Sequence, residues 1–359
     1  MPLTVLSVAY SFAPVGPNAV GGAEQILTEL DRALMAAGHR SLVLACEGSQ
    51  TMGELFPIPW LGEGIYDADS KLWWKKQRQL ELNHILATQE IDLIHMHGLD
   101  FHEYRLPADI PVLVTLHLPI SWYPREIWSR YHANVQFQCV SDTQRLSCPS
   151  EFADIPVIRN GVVLPGSTER KSEFALVLGR ICPEKNQHAA LDAGSLAGVR
   201  VLLGGQVFPY QEHRAYFQEQ IVPRLGPRES GIEHQFLGPL APLKKQQLLM
   251  EAKCLLHPTL APETSSLVAM EAMAAGTPVI AYPSGALPEI IDTGVTGFLV
   301  DNVEDMATAI DHVEELRPED CRSVAREKFS RERMIQDYFR LYAAITKREA
   351  RNEREKRYA

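Results

Sequence analysis

Leu3-Thr4-Val5-Leu6-Ser7-Val8-Ala9-Tyr10 opens the chain, and Ser41-Leu42-Val43-Leu44-Ala45-Cys46 follows after a loop and a helical stretch. Both runs are short, apolar and uncharged, the composition of strands buried on both faces of a parallel sheet. Between them, Pro14, Gly16, Pro17, Gly21 and Gly22 mark a loop. Residues 23–37 then place Ile26, Leu27, Leu30 and Leu34 on one helical stripe, with Gly38 as the stop. Strand, loop, helix, strand is the opening of a doubly wound α/β sheet.

The alternation extends outward from there. Residues 71–88 read as a helix and 91–95, 112–116 and 135–140 as strands, before 149–165 thins into irregular pieces. A second series begins at 174–178. Its expected strands are 199–203, 232–237, 254–256 and 278–281, and its expected helices 186–196, 212–222, 242–251 and 265–275. Residues 318–357 have helical spacing and few breakers. A boundary within 162–171 divides the chain into domains 1–165 and 166–330, with a helix and charged tail at 331–359.

A length of 359 residues suits two domains, each able to bury its own core. Apolar content of 45% and charged content of 22% are those of a globular enzyme. The net charge of −10 gives no global attraction to nucleic acid, so no such partner is expected. The six cysteines are scattered without a C-x-x-C pair, which argues for free thiols in a reducing compartment. The first residues lack the basic region of a signal peptide, and no apolar run approaches the roughly 18 residues of a membrane span. A cytoplasmic protein is expected. The tail 347–357 mixes both signs and reads as a solvated helix end; peripheral contact with the inner membrane face is the alternative, diluted by Glu349, Glu353 and Glu355.

Ligands of open α/β sheets bind beyond the C-terminal ends of the strands, near helix N-termini. Four polar segments fall at such places. Gly21-Gly22-Ala23-Glu24 opens the first helix, where paired glycines let backbone amides approach an anion; a flexible turn and cap is the plainer reading. His95-Met96-His97 and His117 end two strands and suit a sugar hydroxyl, a phosphate, a metal ion or simple surface packing equally. Gly179-Arg180-Ile181-Cys182-Pro183-Glu184-Lys185-Asn186 lies between a strand and a helix. Arg180 supplies a planar fork and Lys185 a point charge for one diphosphate, unless both are merely solvated.

The fourth segment is Glu263-Thr264-Ser265-Ser266-Leu267-Val268-Ala269-Met270-Glu271, continued by Ala272-Met273-Ala274-Ala275-Gly276-Thr277-Pro278. If a helix starts near Ser265, the two glutamates lie eight positions apart on broadly one side of it. Carboxylates accept hydrogen bonds from sugar hydroxyls. The plainer readings are a first-turn acid for Glu263 and an exposed helix residue for Glu271.

With these segments in order, the chain resembles the retaining glycosyltransferases of family 4, the glycosyl transferases group 1 family, over nearly its whole length. The E-x7-E segment is the most specific element. Arg159-Asn160-Gly161-Val162, Phe236-Leu237-Gly238-Pro239-Leu240 and Gly285-Ala286-Leu287-Pro288-Glu289 support it. The resemblance implies the GT-B fold: two Rossmann-like doubly wound domains facing across a cleft, the C-terminal helix returning to the first.

The resemblance also implies roles. Gly22 faces the donor phosphate or the acceptor. His117 contacts the transferred sugar, and Arg180 and Lys185 hold the diphosphate. Glu263 contacts sugar hydroxyls, assisted by Thr264, Ser265, Ser266 and Leu267, while Glu271 holds the ribose. Leu237 and Gly238 lie where the nucleobase binds. Gly21, His95 and His97 fall on the acceptor side. No metal and no cofactor is implied, the nucleotide-sugar being a substrate; the acceptor is a saccharide, a lipid-linked molecule or a small molecule. Thr264-Ser265-Ser266 departs from the Gly-Phe-Gly or Pro-Phe-Gly common after the first glutamate, so the sugar-facing surface differs. Asp67-Ala68-Asp69 imitates the metal-binding D-x-D of another glycosyltransferase fold, but it sits in a polar loop far from the other motifs and reads as coincidence. A nucleotide-sugar epimerase and a non-catalytic ligand-binding protein share the architecture and stand as alternatives. A nicotinamide dehydrogenase is disfavoured by the missing G-x-G-x-x-G.

Overall fold

The computed structural model describes residues 2–10, 13–60, 67–129, 134–166, 170–227 and 231–358, with side chains described as far as Lys347 apart from Ala68 and Pro227. Of the charged tail only the helical backbone is described, so the side chains named there, Glu349, Glu353 and Glu355, lie outside the described residues.

The chain forms two compact units. The first comprises Met1–Val140, Gln144–Ile158 and Glu332–Ala359, and the second Ser141–Thr143 and Arg159–Arg331. The strands of the first are β1 Thr4–Val8, β2 Arg40–Cys46, β3 Glu54–Ile58, β4 Leu93–Met96, β5 Val112–Leu116 and β6 Val135–Cys139. Those of the second are β7 Phe174–Leu178, β8 Arg200–Gly204, β9 Gly226–Pro227, β10 Glu233–Gly238, β11 Cys254–His257, β12 Val279–Ala281 and β13 Gly297–Leu299. The helices along the chain are α1 Gly22–Ala36, α2 Ala68–Thr88, α3 Asp142–Leu146, α4 Gln187–Leu196, α5 Gln211–Tyr216, α6 Pro242–Glu251, α7 Leu267–Ala274, α8 Leu287–Ile290, α9 Val303–His312, α10 Pro318–Phe329 and α11 Arg331–Tyr358.

The first sheet runs β3-β2-β1-β4-β5-β6, with every pair parallel. The second runs β13-β12-β11-β7-β8-β10 in parallel, with β9 antiparallel at the β10 edge. Counted within each unit, both sheets have the 3-2-1-4-5-6 strand order of a dinucleotide-binding fold. Each unit is therefore a Rossmann-like doubly wound domain. In each, the order reverses at one place: between β1 and β4 in the first, and between β7 and β11 in the second. The strands flanking those places are buried along nearly their whole length, which is why they read as uninterrupted apolar runs.

The stretch 318–357 is two helices, parted at Ser330, whose backbone is extended; the second, Arg331–Tyr358, is the helix expected at 331–359. One expectation needs correction. The helix of the E-x7-E segment starts at Leu267, with Ser266 as N-cap, so Glu263 lies in the preceding loop and the shared-helix geometry does not apply. Asp67 caps α2 by accepting from the Ser70 amide at 2.7 Å, a local structural role consistent with a coincidental D-x-D.

Helix α11 contributes to the core of the first unit. Tyr342 Oη lies 2.8 Å from His95 Nδ1, and Thr115 Oγ1 lies 2.8 Å from His95 Nε2. Thr115 and Tyr338 both donate to Gln138 Oε1, at 2.7 and 3.0 Å. All five side chains are buried. Replacing Tyr342 by Phe should leave one His95 nitrogen unsatisfied and cost about 1–3 kcal/mol, read as a lowered urea midpoint with unchanged slope. An unaltered midpoint would show that the network adds nothing to stability.

Candidate active site

In the second unit the chain leaves β7 at Gly179 and passes Arg180 before a turn at Pro183–Lys185. Asn186 takes a left-handed conformation, φ 54°, that reverses the chain into α4. The Glu184 carbonyl accepts from the Leu260 amide at 2.9 Å, which ties this turn to the loop following β11. The two loops flanking the switch point are thereby joined, and Lys185 from one meets Glu263 from the other.

Lys185 Nζ forms an ion pair and hydrogen bond with Glu263 Oε1. His257 Nε2, at the end of β11, stands 3.3 Å from the same oxygen and 3.3 Å from Ser266 Oγ. Burial raises the Glu263 pKa, but the His257 hydrogen bond and the Lys185 charge outweigh it and bring it down to about 2. Glu263 is thus a fixed carboxylate, half-buried, with a cation beside it. Helix α7 begins immediately beyond. Ser266 makes no side-chain cap, so the first-turn amides have no side-chain acceptor from it.

The backbone of Glu263 is held from behind. Its carbonyl accepts from the Ala286 amide at 2.7 Å. Gly285 has φ +59°, and a Cβ there would collide with the Glu263 backbone. Gly285→Ala should therefore displace the Glu263 loop and destabilise the fold by more than the ~1 kcal/mol typical of a positive-φ glycine alone. A melting temperature equal to wild type would show the loop is not so held.

Two more expected site residues are paired here. Arg180 Nη2 lies 3.1 Å from Glu184 Oε1, both partly exposed. Glu271, on α7, accepts from Lys245 Nζ of α6 at 2.7 and 2.9 Å. Gly238 ends β10 with φ +70°, after an irregularity in the pairing with β8, and Leu237 packs on the core beside it. Thr264, Ser265 and Leu267 lie partly exposed around Glu263 in sequence, and the Ser265 hydroxyl is buried without a hydrogen-bond partner.

In the first unit, Gly21 is the N-cap of α1 and Gly22 is exposed at its first position. Gly21 is in an ordinary extended conformation, φ −78°, and a Cβ there would press on the end of the Glu24 side chain, which would have to shift. Burial lifts the Glu24 pKa to about 7, with a backbone hydrogen bond opposing. At the ends of β4 and β5, His97 Nδ1 lies 3.1 Å from His117 Nε2, with the rings stacked. Desolvation pushes the His117 pKa down to about 3 and that of His97 well below its ordinary value, so both are neutral. His97 Nε2 is buried without a hydrogen-bond partner among the described residues.

His95 departs from its expected place on the acceptor side. It is fully buried with both ring nitrogens bonded, to Tyr342 and Thr115, which leaves no group for a ligand. Sequence reasoning missed four participants: His257, Glu184, Lys245 and the collision that makes Gly285 necessary. Glu184 and Gly285 stood inside quoted motifs. His257 was signalled only by its position at a strand end.

Residues 166–331 match the family described as Glycosyl transferases group 1, and residues 20–163 match Glycosyltransferase Family 4. The D-inositol 3-phosphate glycosyltransferase of Mycolicibacterium smegmatis is 34% identical over 182 residues, 46% of this chain and 41% of that one. The phosphatidyl-myo-inositol mannosyltransferase of Mycobacterium leprae is 25% identical over 324 residues, 80% of this chain and 81% of that one. The chain spans 24% and 41% of the first two curated relatives it matches. Among solved structures, Anabaena HepE in complex with UDP-glucose superposes with a TM-score of 0.71 at 19% identity, covering 95% of this chain and 100% of that one. Among the described residues, no helix is long and apolar enough to cross a membrane. The chain carries, in order, the two domain types of a glycosyltransferase on a GT-B fold.

Proposed function

We propose that the protein is a family 4 retaining glycosyltransferase that moves a sugar from a nucleoside-diphosphate sugar to an acceptor hydroxyl. The observation that carries the reading is the meeting of Lys185 with Glu263 at the switch point of the second sheet, with Arg180 on the same loop. A planar cation, a point cation and an uncapped helix N-terminus suit a diphosphate. The depressed Glu263 carboxylate is an acceptor-only group for sugar hydroxyls.

In this mechanism the nucleoside diphosphate departs from the anomeric carbon and negative charge grows on its β-phosphate. Arg180 and Lys185 stabilise that charge as it develops. The sugar becomes oxocarbenium-like, and the acceptor oxygen attacks on the face the leaving group has left. The departing phosphate takes the acceptor proton, so no separate base is required. Binding the donor breaks standing pairs: the diphosphate replaces Glu184 on Arg180, and the ribose hydroxyls replace Lys245 on Glu271. The resemblance assigns Gly22 to the phosphate or the acceptor and His117 to the sugar; within the first unit His97 pairs with His117. No metal takes part in the transfer.

HepE binds UDP-glucose according to its structure's description, which makes UDP the first nucleotide to test. The D-inositol 3-phosphate glycosyltransferase favours a polyol acceptor and the phosphatidyl-myo-inositol mannosyltransferase a lipid-linked one, met by peripheral contact at a membrane face. The test is a thermal-shift screen against UDP, GDP, ADP and TDP and their sugars. A ligand at 100 times its Kd should add about 2.7 kcal/mol. A shift lost in Arg180→Ala supports the reading. No shift with any nucleotide refutes it, and sugar inversion without an acceptor would mark an epimerase instead.

A further inference from the structure

Cys182 and Glu184, on the Arg180 loop, converge with His213 of α5. One ligand atom from each lies within 4.8 Å of the other two. None of the three touches a reacting atom in the proposed transfer. Cys182 is fully buried, His213 is 7% exposed and Glu184 is half-buried.

The geometry has three sources. The Ile181 amide donates to the Gln206 carbonyl at 2.9 Å and holds the loop against the segment after β8. The Lys185 amide donates to the Cys182 carbonyl at 3.1 Å and closes the turn that brings Glu184 back over the thiol. His213 comes from α5, edge-on to Tyr210 at 5.1 Å between centroids, with Phe208 at 6.4 Å. The aromatic rings leave the imidazole a dry wall on one side.

The polar accounting is incomplete. Glu184 is paired with Arg180, and the Cys182 thiol donates to the Arg180 carbonyl at 3.5 Å. His213 Nδ1, however, is buried and has no hydrogen-bond partner among the described residues. An unpaired buried nitrogen is costly unless something binds it, and this one belongs to the ring that meets the thiol and the carboxylate. Burial, helped by the Arg180 charge, lowers the His213 pKa, so the ring is neutral and able to ligate. Burial pushes the Cys182 thiol up to about 11, so any thiolate there must be created by its ligand.

We propose that Cys182, Glu184 and His213 form a zinc site. One sulfur, one imidazole nitrogen and one carboxylate oxygen are the borderline donor set that selects Zn²⁺ over Mg²⁺ or Ca²⁺, with water as the fourth ligand. On binding, the Cys182 S–H bond breaks, the S–Zn bond forms and the proton goes to solvent; no electron moves. Because Glu184 also pairs with Arg180, the ion would compete with that guanidinium for the carboxylate. The site is structural or regulatory, and its existence is independent of the transferase reading.

The test uses metal alone on the full chain, stripped with chelator. Co²⁺ titration should give a thiolate-to-cobalt charge-transfer band in the near ultraviolet that saturates at one equivalent. Zinc should displace it, with an affinity rising about tenfold per pH unit near neutrality for the single proton released. Cys182→Ser should abolish the band. His213→Asn should weaken zinc by more than the roughly tenfold that loss of an outer-shell partner costs. Should Cys182→Ser fail to fold, checked by circular dichroism of the metal-free chain, His213→Asn alone decides. Absence of the band, or zinc affinity unchanged in the folded variants, overturns the site.

Discussion

Lys185→Ala and Glu263→Gln are each expected to lower sugar transfer by about 10²–10³-fold, the scale for removing one group that stabilises developing charge. The structure adds a complication. The two side chains form one buried ion pair, with 23% and 13% of their side-chain surface exposed, so each single change also strands its partner. Losing Lys185 leaves the carboxylate with His257 only, and stability should fall by about 3 kcal/mol. The pair also confers acid sensitivity. The folded pKa of Glu263 lies below the unfolded carboxylate value, so its stabilisation is present above that value. It is lost as pH falls from about 4.5 toward 2, and amounts to ~3 kcal/mol. A double variant separates the roles. Lys185→Met with Glu263→Leu removes both charges together, which often costs little stability. A folded double variant without transfer shows that the pair exists for the ligand. Wild-type turnover in any of these folded variants sinks the assignment.

Glu24→Gln should raise stability at pH 8 by ~3 kcal/mol and change it little below pH 4. The Glu24 carboxyl is buried, and its folded pKa of about 7 lies above the unfolded value of about 4.5. Between those values the folded state holds a proton that the unfolded state has released. Stability contributed by the neutral carboxyl is therefore full at low pH and lost as pH rises through 7. Glutamine keeps the shape and never ionises, so the loss disappears. Paired melting curves from pH 4 to pH 8 check this. Parallel curves for the two proteins would mean that Glu24 stays charged in the fold. At neutral pH its partial charge also weakens any anion held by the α1 N-terminus, so Glu24→Gln should tighten such binding as pH rises.

The core strands were legible because strands buried on both faces leave continuous apolar runs, as in Val112-Leu113-Val114-Thr115-Leu116. Strand β3, Glu54-Leu55-Phe56-Pro57-Ile58, escaped notice. It is an edge strand, where Pro57 is tolerated because one side needs no ladder donor. Strand β13 is likewise a short edge strand. The start of α7 was placed too early because Thr264-Ser265-Ser266 read as helix, whereas Ser266 is the cap. That error put both glutamates on one helix, although the pairing of Arg180 and Lys185 with a single site came from strand-to-helix context and did not depend on it. The histidines show where sequence stops. His95 lies on β4 and His97 just past its end, two residues on. One is closed off by Tyr342, a partner 247 positions away, and the other keeps a bare nitrogen. Local spacing contains no trace of that difference. The same holds for Lys245 on Glu271, 26 positions apart across two helices.

The Tyr338 and Tyr342 hydroxyls have a consequence for the order in which the protein is made. The second unit is complete at Arg331, but the first waits for residues 332–359. Until these leave the ribosome, His95, Thr115 and Gln138 lack the hydroxyls that satisfy them in the buried core. At usual rates of translation, the β1–β6 sheet stands unfinished for roughly ten seconds or more while the second unit is synthesised and folds. The part of the chain made first is thus the last to be secured.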